Sequence, residues 1–243
     1  MAGRAGWWGA AIVLLGLAAC AEQKADRQLE TARVEMDNGA AMAALKLLQQ
    51  RIHDHPDDVP TLVALGRANA QLGRNQSAVL FYQDALTHDG NCVEAEKGLA
   101  RIDLLQDPPR ALQRLEDMKR RFPQDAQIWN DLGVAYDYAR RHQEAQAAYY
   151  RAMKLDPLLV SAQNNLGLSY AVSGQHEQAM AMLVPLASSA DATSRIRANL
   201  AYAQFMSGNE AGARQTLMHD MSPEQADKVL GTYSQLKATS RTP

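Results

Sequence analysis

Apolar residues recur along the chain with the spacing of a helix rather than that of a strand. Leu132 and Tyr136 lie four residues apart, and so do Ala145 and Tyr149, which places each pair on one helix face. Ala, Leu, Gln and Arg dominate the composition, whereas the strand formers Val and Ile are sparse. The sequence therefore predicts an all-α protein.

The helical pattern itself repeats at an interval of about 34 residues. The clearest copy begins at Ala126 and contains Trp129, Leu132, Gly133, Tyr136, Ala145, Tyr149, Ala152 and Pro157. Trp129 is expected to be buried between the helices. One step further along, the same positions hold Leu166, Gly167, Tyr170, Ala179 and Leu183. We predict six copies, over residues 25–58, 59–92, 93–125, 126–159, 160–193 and 194–227.

Each copy is predicted to hold two antiparallel helices joined by a short turn. The turns are marked by Gly73, Gly174 and Gly208 and, in the fourth copy, by Arg140-Arg141. Proline cannot continue a helix, so Pro56, Pro123 and Pro157 are expected to end the second helices. Ser222 before Pro223 is typical of a helix start, which predicts a capping helix over 223–237.

The motif Trp129-x2-Leu132-Gly133-x2-Tyr136, followed by Ala145-x3-Tyr149 and Pro157, resembles the tetratricopeptide repeat (TPR). The resemblance implies an all-α TPR solenoid over residues 27–237, a right-handed superhelix of about six helix-turn-helix repeats closed by the capping helix. It also implies a non-catalytic scaffold for protein–protein interaction. Residues 238–243 are expected to be a disordered tail.

The N-terminus has the layout of a signal peptide over residues 1–19, with Arg4 before a short apolar run. The ending Leu17-Ala18-Ala19-Cys20 resembles the bacterial lipobox. That resemblance implies cleavage between Ala19 and Cys20, with fatty acyl chains on Cys20 as the anchor and residues 20–26 as a lipidated tether. An ordinary secretory signal with an accidental cysteine is the alternative. By the family's sorting rule, Ala21 implies the outer membrane, with the body of the protein facing the periplasm.

In the TPR family the first helix of each repeat lines a groove that binds partners. The corresponding residues here are Lys97, Arg101, Asn130, Asp131, Asp137, Tyr138, Asn164, Asn165, Asn199, Tyr202 and Phe205. The recurring asparagines have two possible roles: they bind the backbone of an extended peptide, or they only join neighbouring helices. Chaperone-adaptor TPRs hold a C-terminal carboxylate, and Asp131 argues against that subtype because its charge would repel the ligand.

Charge and motifs exclude several other functions. The formal charge is −2, and about −3 without residues 1–19, which is not the basic surface that nucleic acid requires. The sequence has no nucleophile elbow, phosphate loop or zinc motif, so we predict no enzyme, cofactor or metal site. His53-x-His55 offers two metal ligands, which are too few for a metal site. The only other cysteine besides Cys92 is Cys20, and acylation of Cys20 would exclude a disulfide within the chain.

The C-terminal repeat resembles the end of TadD, the TPR lipoprotein of tight-adherence (Tad, Flp pilus) systems. The matching residues are Arg197-x2-Leu200-Ala201, followed by Asp220-Met221-Ser222. The resemblance implies a role in assembling or localising the Tad secretin. Two alternatives stay open: a type IV pilus pilotin-like lipoprotein, or an envelope scaffold that recruits a cell-wall or outer-membrane assembly enzyme. The sequence leaves the oligomeric state open.

Overall fold

The computed structural model describes residues 27–239, and these residues form thirteen helices and no strand. The predicted signal peptide, the tether with Ala19 and Cys20, and the end of the tail lie outside the described residues. The helices are α1 (27–37), α2 (Ala41–Asp54), α3 (Val59–Gln71), α4 (Asn75–His88), α5 (Val93–Gln106), α6 (Pro108–Arg121), α7 (Ala126–Tyr138), α8 (His142–Leu155), α9 (Val160–Val172), α10 (His176–Ala187), α11 (Ser194–Met206), α12 (Glu210–Leu217) and α13 (Pro223–Thr239). The predicted fold class, six helix pairs and a capping helix, is confirmed.

The chain divides into two compact units, with the boundary inside α5 between Ile102 and Asp103. In the first unit, one cluster of buried side chains joins α1, α2 and α3. A second cluster surrounds Tyr82, which lies against Gly66 and Gly98. None of the helices in the part of the chain that the structure describes is long and apolar enough to cross a membrane.

In the second unit, two first helices, α7 and α9, each pack closely on their own second helix at a glycine. Gly133 of α7 faces the ring of Tyr149 on α8, and Gly167 of α9 faces Leu183 on α10. Tyr149 and Leu183 are both buried. The small residue and the large one therefore recur together, which explains the spacing seen in the sequence.

Polar side chains fix the helix starts. Asp58 precedes α3, and its carboxylate accepts from the backbone N–H of Thr61 (3.2 Å) and from Nε of the buried Arg51 (2.9 Å). Burial opposes ionisation of this carboxyl, but the bonds from Arg51 and Thr61 outweigh it and hold its pKa below the ordinary value. At α13 the predicted start is found: the N–H of Ser222 donates to Oε1 of Gln225 (2.9 Å), a capping box.

The turns within five of the six helix pairs use the left-handed backbone conformation, and the turn between α5 and α6 does not. This conformation is adopted by Gly39, Gly73, Gly174 and Gly208. Arg140, with φ of 60°, takes the same conformation in the fourth pair, and it is the only non-glycine among the described residues that does so. A side chain with a Cβ is strained there, so the fourth repeat has kept the turn at a cost in stability.

Candidate partner-binding surface

The first helices of the second unit form one layer. α9 contacts its own partner α10, and it also contacts α7 on one side and α11 on the other. This layer is where the family's binding positions are expected, so its exposed side chains define the candidate surface.

A pocket of about 320 Å³ opens in this layer between α7 and α9. Its lining residues come from three helices: Val134, Asp137 and Tyr138 of α7, His142 and Tyr149 of α8, and Asn165, Leu168, Ser169 and Val172 of α9. Tyr138 is 56% exposed and Val172 is 44% exposed. Large apolar groups that remain open to solvent beside a polar group are typical of a binding pocket.

The carboxylate of Asp137 connects the three helices. Its Oδ1 accepts from the hydroxyl of Ser169 (2.9 Å) and lies 2.8 Å from Nδ1 of His142, while its Oδ2 accepts from the hydroxyl of Tyr149 (3.0 Å). An ionised carboxylate can only accept, so Nδ1 of the imidazole carries the hydrogen. Burial, and then the charges of Asp137 and Asp131, raise the pKa of Tyr149 well above its ordinary range.

The asparagines form hydrogen bonds between successive first helices. Nδ2 of Asn165 donates to Oδ1 of Asn130 (3.0 Å), and Nδ2 of Asn199 donates to Oδ1 of Asn164 (3.0 Å). Nδ2 of Asn130 in turn donates to the carboxylate of Asp131 (3.1 Å). We name these five residues the asparagine ladder. The amides of Asn165 and Asn199 thus join helix to helix, and peptide binding by the partly exposed asparagines stays a prediction.

Burial divides the predicted groove residues into two groups. The buried ones do not offer a surface to a partner: Lys97, Asn130, Asp131, Asn164 and Phe205. The exposed or partly exposed ones do: Arg101, Asp137, Tyr138, Asn165, Asn199 and Tyr202. Partner contact therefore stays a prediction for the exposed and partly exposed residues only.

Lys97 and Arg101 lie in the first unit, on α5. Nζ of Lys97 is 2.7 Å from Oε1 of Glu94, within the same helix. Burial raises the pKa of Tyr82 to about 12, although the charges of Arg101 and Arg67 act in the opposite direction. Arg67 forms an ion pair with Asp37, so this face of the first unit is rich in charge.

The capping helix α13 covers the inner side of α11. The ring of Tyr233 packs against Tyr202 edge-on (5.2 Å between centroids) and against Phe205 (5.7 Å). Nζ of Lys237 lies 5.5 Å from the centre of the Phe205 ring and 3.3 Å from the carbonyl oxygen of Met206. These contacts explain why Phe205 is only 7% exposed.

Two features of the site differ from what the sequence indicates. Trp129 is expected to be buried between helices, but it is partly exposed: its indole N–H donates to the carbonyl of Pro123 (2.9 Å), and Lys119 lies 5.6 Å from the ring centre. That expectation is wrong, because the ring packs along the surface beside Lys119. His142 looks like an ordinary turn residue in the sequence, yet it binds Asp137 in the pocket. Within residues 27–239, no three histidine, cysteine or carboxylate side chains are grouped to hold a metal ion.

Comparison with known proteins supports the fold. The chain is similar to the general transcriptional corepressor ssn6 of Schizosaccharomyces pombe, with 24% identity over 122 residues, which cover 47% of this chain and 11% of the corepressor. The chain thus spans about a tenth of that relative. Among solved structures, it is similar to a thermophilic TPR protein of Thermus thermophilus, with 24% identity and a TM-score of 0.62 over 73% of this chain and 97% of that one.

A further structural neighbour is pilF of Pseudomonas aeruginosa, with 14% identity and a TM-score of 0.60 over 80% of this chain and 89% of that one. At this identity the likeness concerns the fold alone. The family model for the tetratricopeptide repeat matches residues 29–91, 98–159 and 131–191, which is more than half of the chain. TPR proteins are typically non-catalytic scaffolds whose repeats bind protein partners. The chain therefore belongs to the tetratricopeptide repeat family.

Proposed function

We propose that the protein is an outer-membrane lipoprotein, anchored through acyl chains on Cys20, that acts as a protein–protein interaction scaffold in Tad/Flp pilus assembly. Its partner is the secretin or another assembly protein, whose assembly or localisation it supports. One observation carries the binding role: the pocket between α7 and α9, where Tyr138 and Val172 stay exposed beside Asp137. An exposed apolar site of this kind is suited to anchoring a partner.

The location and the pathway are supported by the sequence. The ending Leu17-Ala18-Ala19-Cys20 supports the lipid anchor, and Ala21 supports the outer membrane. The resemblance to TadD over the last repeat supports the pilus role. The structure adds a compatible contact there: Nε of Arg197 donates to the carboxylate of Asp220 (2.6 Å), joining two residues of the shared pattern.

The experiment is site-specific photocrosslinking in the native host. The tagged full-length protein carries a photoreactive phenylalanine derivative at Tyr138, in the pocket. A matched control carries it at Leu158, which is 85% exposed in the same unit but does not line the pocket. We expect a Tad component to be crosslinked from position 138 and not from position 158.

The anchor is tested separately with Cys20→Ser. We expect this variant to leave the outer-membrane fraction and to reduce surface pili. Full piliation with a soluble variant would count against the proposal. Recovery of a type IV pilus secretin, or of a cell-wall or outer-membrane assembly enzyme, would keep the scaffold role and reject the Tad assignment.

A further inference from the structure

We propose that the pocket between α7 and α9 binds a lysine side chain of an extended partner segment. This inference rests on the proposed binding function and specifies what the pocket recognises. The aliphatic stem lies between the apolar walls, and the ammonium group reaches Asp137 at the base.

The walls fit a long unbranched stem. Val134 and Tyr138 lie on α7, and Leu168 and Val172 lie on α9, so the two helices offer apolar side chains from opposite sides. A lysine side chain combines four methylene groups with a charged end, and it buries the methylenes wherever apolar surface is available. The volume of about 320 Å³ leaves room for such a chain without displacing a helix.

The charge at the base selects a cation. Asp137 is the only carboxylate among the described residues that line the pocket. Those described lining residues include no lysine and no arginine that would neutralise this carboxylate. A basic side chain complements this charge, whereas an acidic one is repelled.

The hydrogen bonds already made by Asp137 favour lysine over arginine. A carboxylate offers about four acceptor positions. Oδ1 already accepts from Ser169 and His142, and Oδ2 accepts from Tyr149. The one position that remains, on Oδ2, suits the single ammonium of lysine, whereas the planar fork of arginine needs two free oxygens for its paired contact.

Asn165 places a backbone-binding group next to the pocket. It lines the pocket and is partly exposed, and its Nδ2 is held by Oδ1 of Asn130 (3.0 Å). Its own side-chain carbonyl is therefore fixed in direction and suited to accept from the backbone N–H of a segment that crosses α9. The pocket would bind the lysine side chain of the partner segment, and Asn165 would bind the backbone of that segment.

The test is a methyl NMR titration of the full-length protein in detergent micelles, with labelled Val and Leu methyl groups. The probes are Nα-acetyl-lysine methylamide and Nα-acetyl-norleucine methylamide, which share the aliphatic stem and differ in the ammonium. We expect the lysine probe to shift the methyls of Val134, Leu168 and Val172 and to bind about tenfold more tightly than the norleucine probe. The methyls of Val184, outside the pocket, should not move.

Two variants assign the effect. Asp137→Asn keeps the shape of the side chain and removes the charge, so the lysine probe should lose its advantage. Tyr138→Ala removes an exposed wall and leaves the carboxylate contacts in place, so both probes should weaken while lysine stays preferred; this variant serves if Asp137→Asn does not fold. Equal binding of the two probes, or no shift with either, would overturn the proposal. Either failure leaves the photocrosslinking result at Tyr138 standing, since a pilus component can be captured there through other contacts.

Discussion

The close approach of α7 and α8 at Gly133 can be tested with a single methyl group. A Cβ added at Gly133 would lie 2.5, 2.7 and 2.8 Å from three ring carbons of Tyr149. The Tyr149 ring cannot move away easily, because it is buried and its hydroxyl donates to Asp137. Gly133→Ala must therefore push the ring, the helix or both.

The expected magnitude follows from two opposing effects. Forcing an extra carbon into a packed core costs about 1–3 kcal/mol. Replacing glycine by alanine within a helix returns about 0.5–1 kcal/mol through backbone entropy. The difference is about 0–2.5 kcal/mol, so we expect the free energy of unfolding to fall by about 1 kcal/mol, which for a chain of this size lowers Tm by about 2–4 °C.

Gly231→Ala is the matched control, because it makes the same chemical change in a helix where nothing lies within 4 Å of the new Cβ. It should stabilise α13 by about 0.5–1 kcal/mol. Thermal and urea unfolding of both variants, followed by far-ultraviolet circular dichroism, measures the two shifts. If Gly133→Ala raises the stability as Gly231→Ala does, the argument from close packing is refuted.

Three further outcomes are expected. Asp58→Asn should lower stability at neutral pH but not at low pH, because folding lowers the pKa of Asp58. The resulting stability is complete above the ordinary aspartate pKa of about 4 and is lost as the pH falls through the folded-state pKa. Urea titrations across that pH range measure the difference. Asn199→Ala should cost about 1–3 kcal/mol, because the carbonyl of Asn164, which is 3% exposed, loses its donor; unfolding compared with an exposed Gln215→Ala control measures the loss. Removing residues 223–243 should uncover Phe205 and increase binding of a hydrophobic dye, whereas removing residues 240–243 should not.

The fold could be predicted because its determinants are local and repeated. Leu132 and Tyr136 define a helix face by spacing alone, and the interval of 34 residues shows that the same unit returns. The turn at Arg140 could also be located, although the sequence does not show that this residue adopts the left-handed conformation.

The candidate site could be predicted only in part. Asp137, Tyr138 and Asn165 were placed on the binding layer because they occupy first-helix positions in the repeat. His142 and Tyr149 come from α8, and their contact with Asp137 depends on how the helices pack, which spacing does not determine. Two hydrogen bonds of the ladder join residues 35 positions apart, so the acceptors of Asn165 and Asn199 depend on the stagger between helices.

The capping helix limits the length of the extended partner segment that the second unit can bind. α13 packs on Tyr202 and Phe205 of α11, so the uncovered layer consists of α7 and α9 and ends where α11 begins. Adjacent packed helices are about 8–10 Å apart, so this layer is about 16–20 Å wide. An extended chain advances about 3.3 Å per residue, so about five or six residues cross it. The recognition motif that we propose for this unit is therefore a short linear peptide whose lysine lies between α7 and α9.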